Sequence, residues 1–168
     1  LLASRGNADQ ALAQIEAALV VKPNDHDALL LKGAELARLK NDRAAATAAL
    51  EAALVARPLS LAAHTELFVL AMESRDFDGA GKRLTEMKQN KALASNPQVL
   101  YLETRLALAR GNLNAAKEVA SQLLKAAPEH PLVLEMVGLV AFEAKDLPQA
   151  LAHLQNAVKV VPELQQAR

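Results

Sequence analysis

The 168-residue sequence contains no cysteine and no tryptophan. The first absence excludes disulfides and thiol chemistry. Aromatic side chains are limited to Phe68, Phe77, Tyr101 and Phe142, so alanine and leucine must fill any core. Such a composition favours helices, because alanine loses no side-chain entropy on becoming helical and leucine loses little. β-Branched and aromatic residues are too sparse for a large sheet. No run of 18 apolar residues is present to span a bilayer. Charge of one sign is missing too: nineteen basic residues face nineteen acidic ones, with no long run of either. A nucleic-acid partner requires a clustered positive surface, so none is expected. The opening "LLASRGNAD" has no initiator methionine, basic leader or small-residue cleavage site, and is expected to be a cut inside a longer protein.

What is present is a period. "SRGNADQA" and "ARGNLNAA" share a phrase, and "LKNDRAAA", "ESRDFDGA" and "EAKDLPQA" are its relatives. Their closing alanines fall at Ala11, Ala46, Ala80, Ala116 and Ala150, spaced by 35, 34, 36 and 34. Pro23, Pro58, Pro128 and Pro162 keep the same beat, each twelve residues after its alanine. Ala46, Leu50 and Ala53 recur at i, i+4 and i+7, the spacing that aligns side chains on one face of a helix. Leu30, Ala34 and Ala37 do the same in the preceding segment. Between such segments Gly6 and Gly111 suit a left-handed helix end, while Asn7, Asp42, Asp76, Asn112 and Asp146 suit the cap of the following helix. The predicted helices cover 1–5 as a remnant, 7–21, 26–39, 42–56, 60–73, 76–92, 97–109, 112–126, 131–144 and 147–161.

Two helical segments in a period near 34 resemble the tetratricopeptide repeat family over nearly the whole chain. The family pattern, with position 4 bulky, 8 and 20 small, 24 large, 27 small and proline at 32, matches Leu30, Ala34, Ala46, Leu50, Ala53 and Pro58. It matches again at Leu134, Gly138, Ala150, Leu154, Ala157 and Pro162. The third repeat departs from it, with Phe68 at position 8 and Ala92 in place of proline. The resemblance implies an all-α fold, a right-handed α-α superhelix of helix-turn-helix repeats, because one repeat cannot bury its own apolar faces. It implies a single array over 1–168, made of a partial repeat 1–23, full repeats 27–58, 61–94, 97–128 and 131–162, and the start of a further helix at 163–168. Gly79 and Gly81 weaken the second helix of the third repeat, so the least protected amides are expected in 76–96.

Candidate chemistry is thin. "GAGK" at Gly79 to Lys82 has Asp76 and Arg83 where a phosphate-binding loop needs glycine and a hydroxyl residue, and it lies inside a helix. His26, His64, His130 and His153 are nowhere paired at metal-ligand spacing on one helix, so packing or capping roles are expected and no metal or cofactor. The serines, four of them near helix ends, suit caps and form no nucleophile elbow. Glu135 and Glu143 are two helical turns apart and cannot share a proton. No enzyme activity is expected; an enzyme or enzyme-regulatory subunit is the most distant reading.

The resemblance implies that positions 2, 5, 9 and 12 of each first helix line a concave wall. These are Ala28, Leu31, Glu35 and Arg38; Ala62, Thr65, Val69 and Met72; Gln98, Tyr101, Arg105 and Leu108; Leu132, Glu135, Leu139 and Phe142. Each apolar member alone reads equally well as interhelix packing. Together they suggest a track for an extended or helical partner segment. Some family members clamp a peptide's terminal carboxylate with lysine, asparagine and arginine, where this chain has Leu31, Glu35, Thr65, Glu66, Gln98 and Leu102; that clamp is absent.

The stretch "NPQVLYLETRLALARGNLNAAKEVASQLLKAAPEHPLVLEMVGLVAFEAKDLPQALAHLQNAV" resembles the long repeat lipoproteins that accompany bacterial exosortase systems. That likeness implies a periplasmic or outer-membrane-associated place in the cell envelope, in protein sorting or exopolysaccharide production; the alternative is cytoplasmic. The expected function is a noncatalytic scaffold binding a protein or peptide segment, without nucleic acid and without membrane insertion of these residues. The alternative is a structural spacer or self-assembling array, stacking through open repeat ends.

Overall fold

The computed structural model describes the backbone of residues 2–160 and the side chains of residues 9–160. Ten α-helices follow one another, with no strand among the described residues: α1 (Leu2–Val21), α2 (His26–Glu35), α3 (Arg43–Ala56), α4 (Leu61–Glu73), α5 (Phe77–Gln89), α6 (Lys91–Ala94), α7 (Pro97–Ala109), α8 (Leu113–Ala126), α9 (Pro131–Glu143) and α10 (Leu147–Val160). A π-helical segment, Leu36–Lys40, continues α2. The chain divides into two compact units, Leu1–Arg83 and Leu84–Arg168. The expected helix start at 163–168 lies outside the described residues.

The short turns repeat one chemistry. Each first helix ends in a left-handed residue: Asn41 (φ 52), Arg75 (φ 56), Gly111 (φ 69) and Lys145 (φ 62). The next residue, Asp42, Asp76, Asn112 or Asp146, turns its side-chain oxygen back to accept the N–H three positions on, at 3.0, 2.9, 3.2 and 3.2 Å. That bond satisfies one of the donors a helix start leaves unpaired, which is why Asp and Asn recur there. The longer turns between repeats are closed by Asp25, Ser60 and Asn96 in the same way. Pro97 and Pro131 open their helices, where a missing N–H costs nothing.

In unit 1, α3 packs against both α2 and α4. Its alanines and leucines form a core of Leu29, Ala46, Leu50, Ala53, Leu54, Ala63, Leu67 and Leu70. In unit 2, α8 packs against α7 and α9, and α9 against α10. Leu100, Val119, Leu123, Val133 and Met136 make one cluster there, and Ala107, Ala116, Ala120 and Val140 a second. Small residues set the approach of paired helices. A Cβ on Gly33 would lie 2.5 Å from Leu50 Cγ, and one on Gly138 would lie 2.8 Å from Leu154 Cγ. At the equivalent place in α7, Thr104 is fully buried and its hydroxyl donates to the Leu100 carbonyl at 2.9 Å.

Three expectations are corrected. The turn predicted at Gly6 and Asn7 does not form, because α1 runs through both. A single glycine lowers helix propensity by about 1 kcal/mol and an asparagine by less, so the alanine-rich sequence that follows carries the helix through them. The single helix predicted over 76–92 is two, α5 and α6, because Asn90 leaves the helix and caps the next turn through the Ala92 N–H at 2.9 Å. That break takes up the two residues by which the third repeat, 61–94, is longer than 27–58, 97–128 and 131–162.

The third correction is one of register. From helix start to left-handed residue, the first helices run Leu61 to Arg75, Pro97 to Gly111 and Pro131 to Lys145, fourteen steps each. In the second repeat His26 to Asn41 takes fifteen. The additional residue is absorbed by the π-helical turn Leu36–Lys40, the usual form of a one-residue insertion in a helix. Positions 4 and 8 of this repeat are therefore Leu29 and Gly33, both buried, and not Leu30 and Ala34. Counting backward from the turn places them one residue late.

Candidate functional site

The first helices carry the residues proposed to line a wall, and each unit presents its own set. In unit 1, Leu31 is 54% exposed on α2. Glu35 is half-buried and pairs at 3.7 Å with the exposed Arg38. On α4, Thr65, Val69 and Met72 are all half-buried. The Thr65 hydroxyl oxygen is buried without a hydrogen-bond partner. The π turn separates the α2 residues: measured from the helix start, positions 5 and 9 are Leu30 and Ala34, whereas Arg38 keeps position 12 measured from the turn. Leu30 packs on the core, so Leu31 points one residue further round the helix.

In unit 2, Tyr101 and Leu108 of α7 lie half-buried against the α8–α9 core. Arg105, between them, is half-buried and forms no ion pair among the described residues. On α9, Leu139 is 42% and Phe142 55% exposed, and Glu135 is exposed beside them. A hollow of about 330 Å³ brings Leu108 and Leu139 together with Gly111, Leu113 and Glu143. The arrangement offers apolar contact area flanked by separate charges, suited to an amphipathic segment. Leu102 is buried, so it reaches no ligand in this face.

One constellation escaped sequence reasoning. At the start of α2, the buried His26 joins Asp27 through Nδ1 at 2.7 Å and Ser60 through Nε2 at 2.8 Å. The Ser60 hydroxyl oxygen also accepts the Ala63 N–H at 3.3 Å, so it serves as the cap of α4. The string of serine, histidine and aspartate ties the starts of two successive first helices. Its signal was available, since His26 and Ser60 lie 34 residues apart and residues one period apart become neighbours in a stacked array. The His26 hydrogen bond, with Arg57 next, holds the Asp27 carboxyl below the usual carboxylate range. The Lys22 ammonium at 2.6 Å and then the Ala28 N–H lower Asp25 to about 2. Among the described residues no group of histidine and acidic side chains is arranged to hold a metal ion. No helix of the described residues is long and apolar enough to cross a membrane.

A family model described as tetratricopeptide repeat matches residues 1–60 and 101–164. The unmatched stretch contains Phe68, both helix glycines and the α5–α6 break. Among solved structures, MamA from Desulfovibrio magneticus RS-1 is similar with a TM-score of 0.72 at 19% identity, over 98% of this chain and 89% of that one. PilF of Pseudomonas aeruginosa gives 0.78 at 18%, over 93% and 70%. PilW, a widely conserved type IV pilus biogenesis factor, gives 0.78 at 19%, over 94% and 71%. Identities this low establish the shared all-α repeat fold and nothing finer. A comparison with curated protein sequences finds no relative.

Proposed function

Because the chain belongs to the tetratricopeptide repeat family, we propose that it is a noncatalytic scaffold whose first-helix faces dock a segment of a partner protein. The observation that carries this reading is on α9: Leu139 and Phe142 are large, apolar and solvent-facing, beside a hollow that Leu108 shares. Exposed apolar side chains clustered with isolated charges form the usual core and rim of a docking face. In this reading, which takes 1–168 as one array, Leu31, Glu35, Arg38, Thr65, Val69 and Met72 form the docking face of unit 1, and Tyr101, Arg105, Leu108, Glu135, Leu139 and Phe142 that of unit 2. The double variant L139S/F142S should lose partner capture from an extract of the source organism while its unfolding midpoint stays within a few degrees. Capture equal to that of the parent chain overturns the assignment.

The assembly served is, in this proposal, one of the cell envelope, for protein sorting or exopolysaccharide production. The wording of residues 96–158 supports that place, as does the fold shared with a protein described as a pilus biogenesis factor.

A second reading rests on α10. Leu147, Leu151, Leu154 and Val158 form an exposed stripe at i, i+4, i+7 and i+11. On α3 the corresponding Leu50 and Leu54 are buried in the cluster that includes Ala63 and Leu67 of α4. A self-assembling array would cover the α10 stripe in the same manner. Sedimentation over a concentration range decides, since a monomer at the highest concentration rejects this second reading.

A further inference from the structure

Between α8 and α10, with α9 as its floor, unit 2 holds a groove of about 450 Å³. It lies among the second helices and shares no residue with the first-helix face proposed for partner docking. Seventy residues earlier, the same place in unit 1 is a hollow of only 180 Å³ among α3, α4 and the start of α5. The difference has a side-chain cause. In unit 1 the Arg83 guanidinium of α5 reaches Glu51 of α3, and Arg43 donates to the Ser74 hydroxyl at 3.3 Å. These bonds fill and close the hollow. In unit 2 Ser121 stands at the place of Glu51 and His153 at that of Arg83, and among the described residues no side-chain bond joins the walls.

The open groove is built from two kinds of surface. Its floor is hydrocarbon, from Val137, Val140 and Ala141. Its walls present Lys117 and Ser121 one helical turn apart on α8, facing Gln149 and His153 one turn apart on α10. None of these four side chains makes a hydrogen bond or ion pair with the described residues. Asp146 stands at one end, its carboxylate already accepting the Gln149 N–H at 3.2 Å, and Leu124 stands at the other. The volume is that of a small-molecule site.

We propose that this groove binds a small amphiphilic carboxylate. The hydrocarbon part lies on the α9 floor toward Leu124. The head group accepts from the Lys117 ammonium, the Ser121 hydroxyl and a ring N–H of His153. One ammonium matches one carboxylate; the Asp146 charge at the end of the groove opposes any anion, and a doubly charged phosphate about twice as strongly. An unpaired donor set over an apolar floor is what such a head and tail complete.

The experiment is a titration of the 168-residue protein with octanoate, followed by amide chemical shifts. Octanamide supplies the tail without the charge, and acetate the charge without the tail. Saturable shifts confined to α8, α9 and α10 are expected with octanoate, with at least tenfold weaker binding of both controls. The exposed Lys117→Met should weaken octanoate binding tenfold or more. The double variant S121E/H153R, which transplants the unit 1 ion pair, should abolish binding without lowering the unfolding midpoint. Absence of saturable shifts, equal affinity for octanamide, or octanoate binding unchanged in Lys117→Met overturns the proposal. An ill-folded double variant leaves the decision with Lys117→Met and the two control ligands.

Discussion

Gly33 and Gly138 hold the same repeat position, yet they face leucines with different freedom. Leu50 is fully buried opposite Gly33, whereas Leu154 is 37% exposed opposite Gly138. Alanine would gain about 0.5–1 kcal/mol of helix propensity at either site. At Gly33 that gain is outweighed by overpacking, which costs about 1–3 kcal/mol where the neighbour cannot move. Gly33→Ala should therefore destabilise unit 1, while Gly138→Ala should be neutral or slightly stabilising as Leu154 swings toward solvent. Urea unfolding of both variants checks the pair. Asp25 gives a second residue-level prediction. Its carboxyl is held near 2 against an ordinary 3.8, so its contribution to stability is complete above about pH 4 and is lost as pH falls toward 2. Asp27 is lowered in the same direction and adds to the loss. Amides at the start of α2 should lose protection, measured against their intrinsic exchange rates, as pH falls through that window in the parent chain, and Asp25→Asn should flatten the dependence.

At the scale of elements, most boundaries were legible because each rests on a local signal. Asp42, Asp76, Asn112 and Asp146 have the chemistry and place of caps, and each accepts the expected backbone bond. Gly111 suits a left-handed helix end and forms one. What escaped depended on tertiary balance. Gly6 and Asn7 carry the same local words, yet α1 runs through both. The register of α2 is hidden because an inserted residue leaves both ends of a helix intact and shows only in which face is buried. The π turn makes this testable: removing Glu35 restores fourteen steps and brings Ala34, Leu36 and Ala37 to the places of Leu139, Val140 and Ala141. The deletion should fold with its π turn replaced by α-helix and with an unfolding midpoint no lower than the parent's. A loss of cooperative unfolding would contradict the insertion account. The His26–Ser60 clasp is hidden for a different reason, since its partners sit in separate turns that only stacking brings together.

For the whole molecule, the two compact units part at Arg83 and Leu84, inside the segment expected to be least protected. Gly79 and Gly81 lower its helix propensity, and α5 stops at Gln89 before the short α6 begins. Hydrogen exchange should show its fastest helical amides in 76–96, and protection there equal to that of α9 and α10 would contradict this. The candidate face was legible only in part. Repeat positions point to Leu139 and Phe142, whose side chains are exposed, but the α2 residues depend on a register that the sequence conceals. The most direct measurement of the central claim is site-specific photocrosslinking. A benzoyl-phenylalanine at Leu139, on a first helix, is compared with one at the 84%-exposed Val55 of α3, a second helix. The account predicts that a captured partner protein crosslinks from Leu139 and not from Val55; crosslinking from Val55 alone would contradict it.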